Sequence, residues 1–257
     1  MDLQLAGRVA LITGGVSGIG RACVEACLGE GANVVIVDRS PSGEEVAASY
    51  RRDGARVEFI HADVTQEADV ERAVKTVISQ HRRLDTVLGC AGISGPVGAR
   101  LDEVSADQWD QVMAVNLRGN FLVTKHAIGH LEASDVGTIV YLASDAAFVA
   151  FEGMAPYTAS KGGVVMLAKA VAGDYSKVRA NALCPGIVDT PMSRGDLGMP
   201  NGFEGTGIPV MRPSQIARHA VFLASPVSAP MNGTTLLSDF GYVARSALGA
   251  LDFSNSS

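Results

Sequence analysis

Short, continuous apolar runs alternate along this chain with longer stretches of helical periodicity. Apolar runs without polar alternation are typical of strands that are covered on both faces of a sheet. The predicted strands are Val9–Thr13, Asn33–Asp38, Val57–His61, Leu84–Leu88, Thr138–Ala143, Arg179–Cys184 and Thr235–Ser238. The predicted helices between them are Ile19–Glu30, Ala68–Gln80, Ala106–His130, Tyr157–Ser176 and Gln215–Ala224. Repeated strand–helix units predict an α/β fold, with a doubly wound parallel sheet and helices on both faces.

The pattern contains no repeat, low-complexity tract or Pro/Ser-rich linker, so residues 1–257 are predicted to form a single domain. Residues 191–213 combine five glycines with four prolines and have little periodicity. Because this segment follows a strand end, where open α/β sheets bind ligands, it is predicted to be a substrate loop. Residues 250–257 are predicted to be a polar C-terminal tail.

Charge and composition narrow the choice of partners. The net charge of −6 argues against nucleic acid or an anionic membrane as the main partner. No apolar run reaches the ~18 residues that a bilayer requires, and the acidic start does not resemble a signal peptide. With four cysteines, the chain is predicted to be a reduced, cytoplasmic protein that acts on a small molecule.

The first strand leads directly into the glycine-rich turn TGGVSGIG at residues 13–20, which a helix follows. Gly14 suits a tight turn, Gly18 lets the backbone approach a pyrophosphate, and Gly20 lets helix and strand pack closely. The free N–H groups of the helix N-terminus favour a phosphate charge. This strand–turn–helix context predicts dinucleotide binding.

Asp38 ends the second predicted strand, twenty residues beyond Gly18. A carboxylate at this place accepts hydrogen bonds from both ribose hydroxyls of an adenosine and repels a 2′-phosphate. The sequence therefore favours NAD over NADP. Arg39 leaves NADP open as the less favoured cofactor, because a guanidinium binds a phosphate well.

Further motifs follow the glycine-rich turn along the chain. One of them is a Tyr-x-x-x-Lys pair, which by itself would be weak evidence of function. They are Asp63-Val64, Cys90-Ala91-Gly92, Asn116, Ser144, Tyr157 with Lys161, PGIVDTP at 185–191 and SDFG at 238–241. Asn116 precedes Ser144 by twenty-eight residues, and Ser144 precedes Tyr157 by thirteen. Together with TGGVSGIG, this order resembles the classical short-chain dehydrogenase/reductase family over nearly the whole chain. The resemblance implies one Rossmann-type domain with about seven parallel strands in the order 3-2-1-4-5-6-7.

The resemblance also implies that the chain moves a hydride between a carbinol carbon and nicotinamide C4. In this role Tyr157 is the acid/base, and Lys161 is its electrostatic partner and a donor to the nicotinamide ribose. Ser144 hydrogen-bonds the reacting oxygen, and Asn116 anchors a water that extends a proton relay. A tyrosine has an ordinary pKa near ~10, so a lysine one turn along the helix and the positive nicotinamide are expected to lower it.

Binding roles are carried over residue by residue. The residues that the resemblance assigns to the dinucleotide are Gly14, Ser17, Gly18, Ile19, Gly20, Asp38, Arg39, Asp63, Val64, Cys90, Ala91, Gly92, Tyr157, Lys161, Pro185, Gly186, Val188 and Thr190. The candidate substrate-binding residues are Ser94, Ser144, Asp145, Phe148, Phe151, Met154, Tyr157 and Met192. Two aromatic residues and a methionine between Ser144 and Tyr157 favour an apolar or ring-bearing substrate.

The chain departs from the family pattern after the fourth strand, where Gly89-Cys90 stands in place of Asn-Asn. The side-chain hydrogen bonds that brace the central sheet are expected to be lost there. Cys90 has no base beside it in the sequence and is predicted to be structural. No metal is predicted, because the pairs Cys23/Cys27 and His126/His130 lack further ligands.

The main interpretation is an NAD-dependent alcohol dehydrogenase or ketone reductase. The alternatives are an NADPH-dependent 3-oxoacyl thioester reductase, which Asp38 disfavours, and a non-catalytic NAD-binding regulator, which would be expected to lose Tyr157 or Lys161. An NAD-dependent epimerase or dehydratase generally needs a larger C-terminal substrate domain than this chain has room for. The resemblance implies a homotetramer assembled through the helices that carry Asn116 and Tyr157.

Overall fold

The computed structural model describes residues 2–245, so the predicted tail at 250–257 lies outside the described residues. Seven strands form a single sheet in the described chain. They are β1 (Val9–Thr13), β2 (Asn33–Asp38), β3 (Val57–His61), β4 (Thr86–Gly89), β5 (Thr138–Leu142), β6 (Arg179–Pro185) and β7 (Thr235–Ser238). Their order is β3-β2-β1-β4-β5-β6-β7, and every neighbouring pair is parallel. The predicted fold class is confirmed.

Helices cover both faces of the sheet. They are α1 (Gly18–Gly29), α2 (Gly43–Arg52), α3 (Glu67–His81), α4 (Ala106–Met113), α5 (Gly119–Glu132), α6 (Ala155–Asp174), α7 (Pro191–Asp196) and α8 (Pro213–Ala224). Buried side chains of α1, α2 and α8 belong to the apolar core on one face, and those of α3, α5 and α6 belong to the core on the other. No helix among residues 2–245 combines the length and the apolar character that a membrane span requires.

The two cores arise from the period-two geometry of the strands. In β1, Val9 and Leu11 pack into one core while Ala10 and Ile12 pack into the other. Since successive side chains point to opposite faces, a strand buried on both sides needs an apolar residue at every position. All five residues of β1 are buried, and the four before Thr13 are apolar, as this geometry requires.

Two differences from the predicted elements have local causes. Helix α2 was not predicted, because only Gly43 and Ala47 of its ten residues are buried and its ends carry acidic and basic pairs. The predicted helix Ala106–His130 is helical throughout, but residues Ala114–Arg118 form a π-helical turn that separates α4 from α5. π-helical turns recur at functional sites, and this one contains Asn116.

The segment 191–213, predicted as a loop, is partly helical. It begins with α7, whose N-cap Thr190 accepts a hydrogen bond from the Ser193 backbone N–H at 3.2 Å. Farther along, Phe203 and Met211 are buried. Met211 also pairs in parallel with Val188 as an isolated bridge. The segment is therefore anchored at both ends and carries α7 next to the carboxyl end of β6.

Candidate active site

A cavity of about 450 Å³ lies where the carboxyl ends of the central strands meet. This is the edge at which open parallel sheets bind ligands. Its lining includes every residue that the resemblance assigns to the dinucleotide, from the glycine-rich turn to Thr190. The fold thus brings together residues that are spread over most of the sequence.

The glycine-rich turn leaves no room for side chains at two points. Gly14 has a φ of +67°, and a Cβ atom there would lie 2.8 Å from the Ala91 Cα atom. A Cβ atom on Gly20 would lie 2.1 Å from the Gly14 carbonyl oxygen. Strand β1, helix α1 and the loop after β4 therefore approach one another closely. The turn presents the N-terminus of α1 to the cavity, as anion binding requires.

Asp38 is held in position at the carboxyl end of β2. Its two oxygens accept hydrogen bonds from the backbone N–H groups of Val16 (3.2 Å) and Ser40 (2.9 Å). A carboxylate has about four acceptor positions, so these two bonds leave acceptor capacity for a ligand. Asp38 and Arg39 both line the cavity.

The loop after β4 is braced in a way that the sequence did not predict. The Thr13 hydroxyl accepts hydrogen bonds from the backbone N–H groups of Cys90 (3.2 Å) and Ala91 (3.3 Å). The Asn120 side chain occupies the space above Gly89, where a Cβ atom would lie 2.1 Å from Asn120 Oδ1. The expected loss of bracing at Gly89-Cys90 is thus offset by Thr13 and Asn120.

The cysteines give no sign of a metal site. Cys23 and Cys27 are buried, and burial raises the pKa of Cys27 to about 12. His126 lies 3.2 Å from a Glu67 carboxylate oxygen. Among residues 2–245, no group of three or more His, Cys, Asp or Glu side chains is arranged to hold a metal ion.

Helix α6 places Tyr157 and Lys161 on the cavity wall, one helical turn apart. The Lys161 Nζ atom lies 5.5 Å from the centre of the Tyr157 ring. It also donates a hydrogen bond to the Leu142 carbonyl oxygen at 2.7 Å. Lys161 is 5% exposed, so this bond to the end of β5 fixes the ammonium group beneath the cavity.

The pKa values of this pair reflect burial. Burial lowers the pKa of Lys161 to about 8. Burial also raises the pKa of Tyr157 to about 12; the Ser144 hydroxyl opposes this shift, and the Asp145 and Asp196 carboxylates add to it. The predicted lowering of the Tyr157 pKa is therefore wrong for the protein alone. Desolvation and two nearby carboxylates together outweigh the Ser144 hydrogen bond, which acts to lower this pKa.

Ser144 lies at the carboxyl end of β5 and is buried. Its hydroxyl accepts a hydrogen bond from the Ala146 backbone N–H (3.1 Å) and donates one to Asp145 Oδ1 (2.9 Å). Burial raises the pKa of Asp145, with the Ser144 hydrogen bond acting in the opposite direction. The Ser144 proton is thus engaged by a neighbouring carboxylate that also lines the cavity.

Asn116 lies behind the cavity wall and is fully buried. Its side chain bridges to Ile93 through two backbone hydrogen bonds (2.9 and 3.0 Å) and donates to Ser160 Oγ at 3.0 Å. Its backbone carbonyl accepts a hydrogen bond from Asn120 Nδ2 at 2.7 Å. Asn116 therefore links the loop after β4 to helix α6 from within the π-helical turn.

The candidate substrate residues divide into two groups. Asp145, Phe151, Met154 and Met192 line the cavity beside Ser144 and Tyr157. Phe148, contrary to the prediction, lies outside it and is 47% exposed, because a short helical turn at Asp145–Ala147 directs the chain away. Ser94 is a second exception: it is buried behind the wall, where its hydroxyl donates to Asp196 Oδ2 at 2.5 Å.

Several lining residues were not predicted. They include Ile93, Val97, Val115, Pro191, Ser193, Asp196 and Leu197. Asp196 is notable because it brings a second carboxylate into the substrate side of the cavity. The sequence signals only that segment 191–213 follows a strand end. Which of its residues face the cavity depends on the turn that ends α7.

Comparison with known proteins extends over nearly the whole chain. A family model described as enoyl-(acyl carrier protein) reductase matches residues 14–243. The 2-(R)-hydroxypropyl-CoM dehydrogenase of Xanthobacter autotrophicus is 38% identical over 247 residues, which cover 92% of this chain and 99% of that protein.

Solved structures with the same fold include nicotinamide dinucleotide complexes. The 3-ketoacyl-(acyl-carrier-protein) reductase from Brucella melitensis, complexed with NADH, is 33% identical to this chain, with a TM-score of 0.84. The match covers 93% of this chain and 99% of the reductase chain. The gluconate 5-dehydrogenase from Burkholderia cenocepacia, in complex with NADP and tartrate, is 31% identical to this chain, with a TM-score of 0.86. The match covers 95% of this chain and 98% of the dehydrogenase chain. Similar folds thus bind either dinucleotide.

Proposed function

The chain belongs to the short-chain dehydrogenase/reductase family, and on this premise we propose that it is an NAD-dependent oxidoreductase that interconverts a secondary alcohol and a ketone. One observation carries the proposal. Tyr157, Lys161 and Ser144 share a wall of the cavity that continues to the glycine-rich turn and Asp38. An acid/base pair and a dinucleotide-shaped cradle therefore occupy one continuous space.

The residues present fit a nicotinamide dinucleotide. The close packing at Gly14 and Gly20 presents the N-terminus of α1 to the cavity, where Gly18 has no side chain to keep a pyrophosphate away. Asp38 would hold the adenosine ribose, and Lys161 with Tyr157 would hold the nicotinamide ribose. When bound, the nicotinamide supplies or accepts the hydride at C4.

Tyr157 and Ser144 act on the reacting oxygen. With its pKa raised to about 12, the Tyr157 hydroxyl is protonated at neutral pH and suited to donate its proton to a ketone oxygen. In alcohol oxidation the same oxygen must take up the carbinol proton, and the Lys161 ammonium stabilises the phenolate that this requires. Ser144 stabilises the substrate oxygen when its proton turns from Asp145 towards that oxygen.

The preference for NAD rests on Asp38. Its carboxylate is fixed by two backbone N–H groups, so it cannot move aside easily for a 2′-phosphate. Arg39 lines the same end of the cavity, but its long side chain is more mobile than the anchored carboxylate. Repulsion between two anions therefore supports the proposal of NAD.

The substrate side of the cavity favours an apolar or ring-bearing molecule. Val97, Phe151, Met154, Met192 and Leu197 line it. The Phe151 ring also stacks on Tyr242, with ring centres 6.1 Å apart and planes 10° from parallel. A flat, rigid aromatic surface of this kind suits contact with a hydrocarbon ring.

A second candidate function is the reduction of a 3-oxoacyl thioester. The similar structure of the 3-ketoacyl-(acyl-carrier-protein) reductase from Brucella melitensis supports it. A non-catalytic NAD-binding regulator is a third candidate, against which the presence of both Tyr157 and Lys161 argues. We further propose a cytoplasmic location, supported by the four free cysteines, since reduced thiols persist in that compartment.

The test is hydride transfer by the purified protein. NADH and NADPH oxidation would be followed at 340 nm with cyclic, aromatic and aliphatic ketones and with a 3-oxoacyl thioester. We expect ketone-dependent NADH oxidation that is lost in Tyr157→Phe, while NADH binding, measured by fluorescence, is retained. A preference for the thioester would support the second function. NADH binding without turnover on any substrate would support the regulator.

A further inference from the structure

Asp196 is a carboxylate on the substrate side of the cavity that the reaction itself does not use. It is the last residue of α7, which Thr190 caps and Pro191 begins. Its Oδ2 atom accepts a hydrogen bond from Ser94 Oγ at 2.5 Å. Ser94 is 7% exposed, whereas Asp196 is half-buried and lines the cavity, so the buried serine holds a carboxylate that a ligand in the cavity can contact.

The charge on Asp196 is not neutralised by the side chains around it. Within residues 2–245, no lysine, arginine or histidine nitrogen lies within the 4.0 Å of an ion pair with this carboxylate. The neighbouring Arg194 pairs instead with Asp189, at 2.6 Å. A carboxylate has about four acceptor positions, and the Ser94 hydroxyl fills one of them.

Asp196 lies among apolar side chains and close to the acid/base residue. The same cavity is also lined by Val97, Met192 and Leu197. The carboxylate is near enough to Tyr157 to contribute, after burial, to the raised pKa of that tyrosine. A substrate that fills this space removes water from Asp196. Without a hydrogen-bond donor on the substrate, that desolvation weakens binding.

Charge considerations select the kind of donor. The reacting oxygen of the substrate must contact Tyr157, so a substrate ammonium group beside it would face the buried Lys161 ammonium. A carboxylate or phosphate would face Asp145 and Asp196, both of which line the cavity. A neutral hydroxyl meets neither repulsion and donates to a carboxylate, which forms stronger hydrogen bonds than a neutral acceptor.

We propose that Asp196 is a specificity-determining residue that accepts a hydrogen bond from a second hydroxyl of the substrate. The preferred substrates are then diols and hydroxy ketones with an apolar body, in which the second oxygen can reach Asp196 while the first contacts Tyr157. This inference rests on the proposed function. It adds one fixed polar contact, besides Ser144, Asp145 and Tyr157, to a substrate side that Val97, Phe151, Met154, Met192 and Leu197 otherwise line.

The experiment compares matched alcohols that share one carbon ring. The wild type, Asp196→Leu and Asp196→Asn would each be assayed with NAD. The substrates would be cyclohexanol, cyclohexane-1,2-diol and cyclohexane-1,3-diol. We expect kcat/KM of the wild type to be higher for a diol than for cyclohexanol. In Asp196→Leu the ratio of kcat/KM for a diol to kcat/KM for cyclohexanol should fall roughly 10- to 100-fold, which corresponds to a lost charge-assisted hydrogen bond. Asp196→Asn should retain part of the ratio, since its amide oxygen still accepts.

The matched control is Asp102→Asn, which removes a carboxylate that is 77% exposed and should leave the ratio unchanged. An equal loss of activity towards all three alcohols in Asp196→Leu would indicate a structural role and overturn the inference. Equal kcat/KM values of the wild type for the diols and for cyclohexanol would also overturn the inference, but the proposed function would then stand. NADH binding with no oxidation of any alcohol would overturn both.

Discussion

Ser144 has a single hydroxyl proton, which it can direct at only one acceptor at a time. In the structure that acceptor is Asp145 Oδ1. Turnover requires the proton to turn to the substrate oxygen, so Asp145 competes with the substrate for it. We expect Ser144→Ala to lower kcat by about 10²–10³, the usual cost of losing one donor to a developing oxyanion.

Steady-state kinetics of both directions would test this prediction. Ser79→Ala, on the outer face of α3 and far from the cavity, provides the control. If Ser144→Ala retained most of its kcat, the serine would have no role in stabilising the reacting oxygen.

The pH dependence at the residue scale follows from Tyr157 and Lys161. Because the pKa of Tyr157 is raised to about 12, its phenolate fraction is small at neutral pH and grows as the pH rises. Alcohol oxidation requires that phenolate, so kcat/KM for oxidation should increase from neutrality to about pH 8. Above that pH the increase should level off, because Lys161, whose pKa is lowered to about 8, loses the charge that stabilises the phenolate. A pH–rate profile in the oxidative direction measures this. A profile that is flat across the neutral and mildly alkaline range would contradict the role of Tyr157 as the base.

Cofactor choice is also decided at the residue scale. Asp38→Ser removes the anion that opposes a 2′-phosphate and keeps a hydrogen-bonding side chain, while Arg39 remains available to a phosphate. We expect the ratio of kcat/KM for NAD to that for NADP to fall at least tenfold, since one charge–charge repulsion is lost. Asp63→Ser, which removes another carboxylate that lines the same cavity, is the matched control. An unchanged ratio in Asp38→Ser would remove the carboxylate from cofactor selection.

At the scale of elements, Asp85 connects the strands at the edge of the sheet opposite the cavity. Its side chain, 1% exposed, accepts hydrogen bonds from the Val9 backbone N–H (2.8 Å), Arg83 (2.7 Å) and Ser134 Oγ (2.6 Å). Burial acts to raise the pKa of Asp85, but these hydrogen bonds outweigh it and hold the pKa below its ordinary value. The folded state therefore favours the charged carboxylate.

We expect Asp85→Asn to lower the free energy of unfolding by about 2–4 kcal/mol, because it leaves buried partners imperfectly paired. Since the folded-state pKa is depressed, this stabilisation is present above the ordinary pKa near ~3.9 and is lost as the pH falls through the folded-state value. Urea unfolding at neutral and acidic pH measures the effect. The control is Asp135→Asn, which alters an exposed member of the same network and should change stability by less than about 1 kcal/mol.

At the scale of the whole molecule, the helices that flank the active site expose large apolar side chains. Phe121 on α5 is 48% exposed, and Met166 on α6 is 60% exposed. Apolar residues on these helices fit the predicted tetramer interface, in which a symmetric contact would cover them. We expect light scattering to give about four times the 26.7 kDa mass of the chain.

The double variant Phe121→Asp with Met166→Asp should shift the mass to a smaller assembly, because it places charges in a contact that must be desolvated. Leu101→Asp is the control, since it changes an exposed apolar residue (66%) outside these helices. A monomeric wild type would contradict the prediction.

The sequence alone predicted the parallel α/β sheet and the glycine-rich turn, because these depend on local apolar patterns and on the position of glycines after a strand. The strand order and the set of Ser144, Tyr157 and Lys161 came from the resemblance to a family, which the spacing of the motifs along the chain carries. The sequence also placed Asp38 correctly at the end of β2, since the apolar run before it marks the end of that strand.

The tertiary structure decided the contacts between residues that lie far apart in sequence. Asp196 meets Ser94 across 102 positions, and Thr13 braces a loop 77 positions away. The direction of the Tyr157 pKa likewise follows from burial and from two carboxylates that come close only after folding. Hydrogen bonds and desolvation act over a few ångströms, so they depend on how the chain is packed and cannot be inferred from spacing along it.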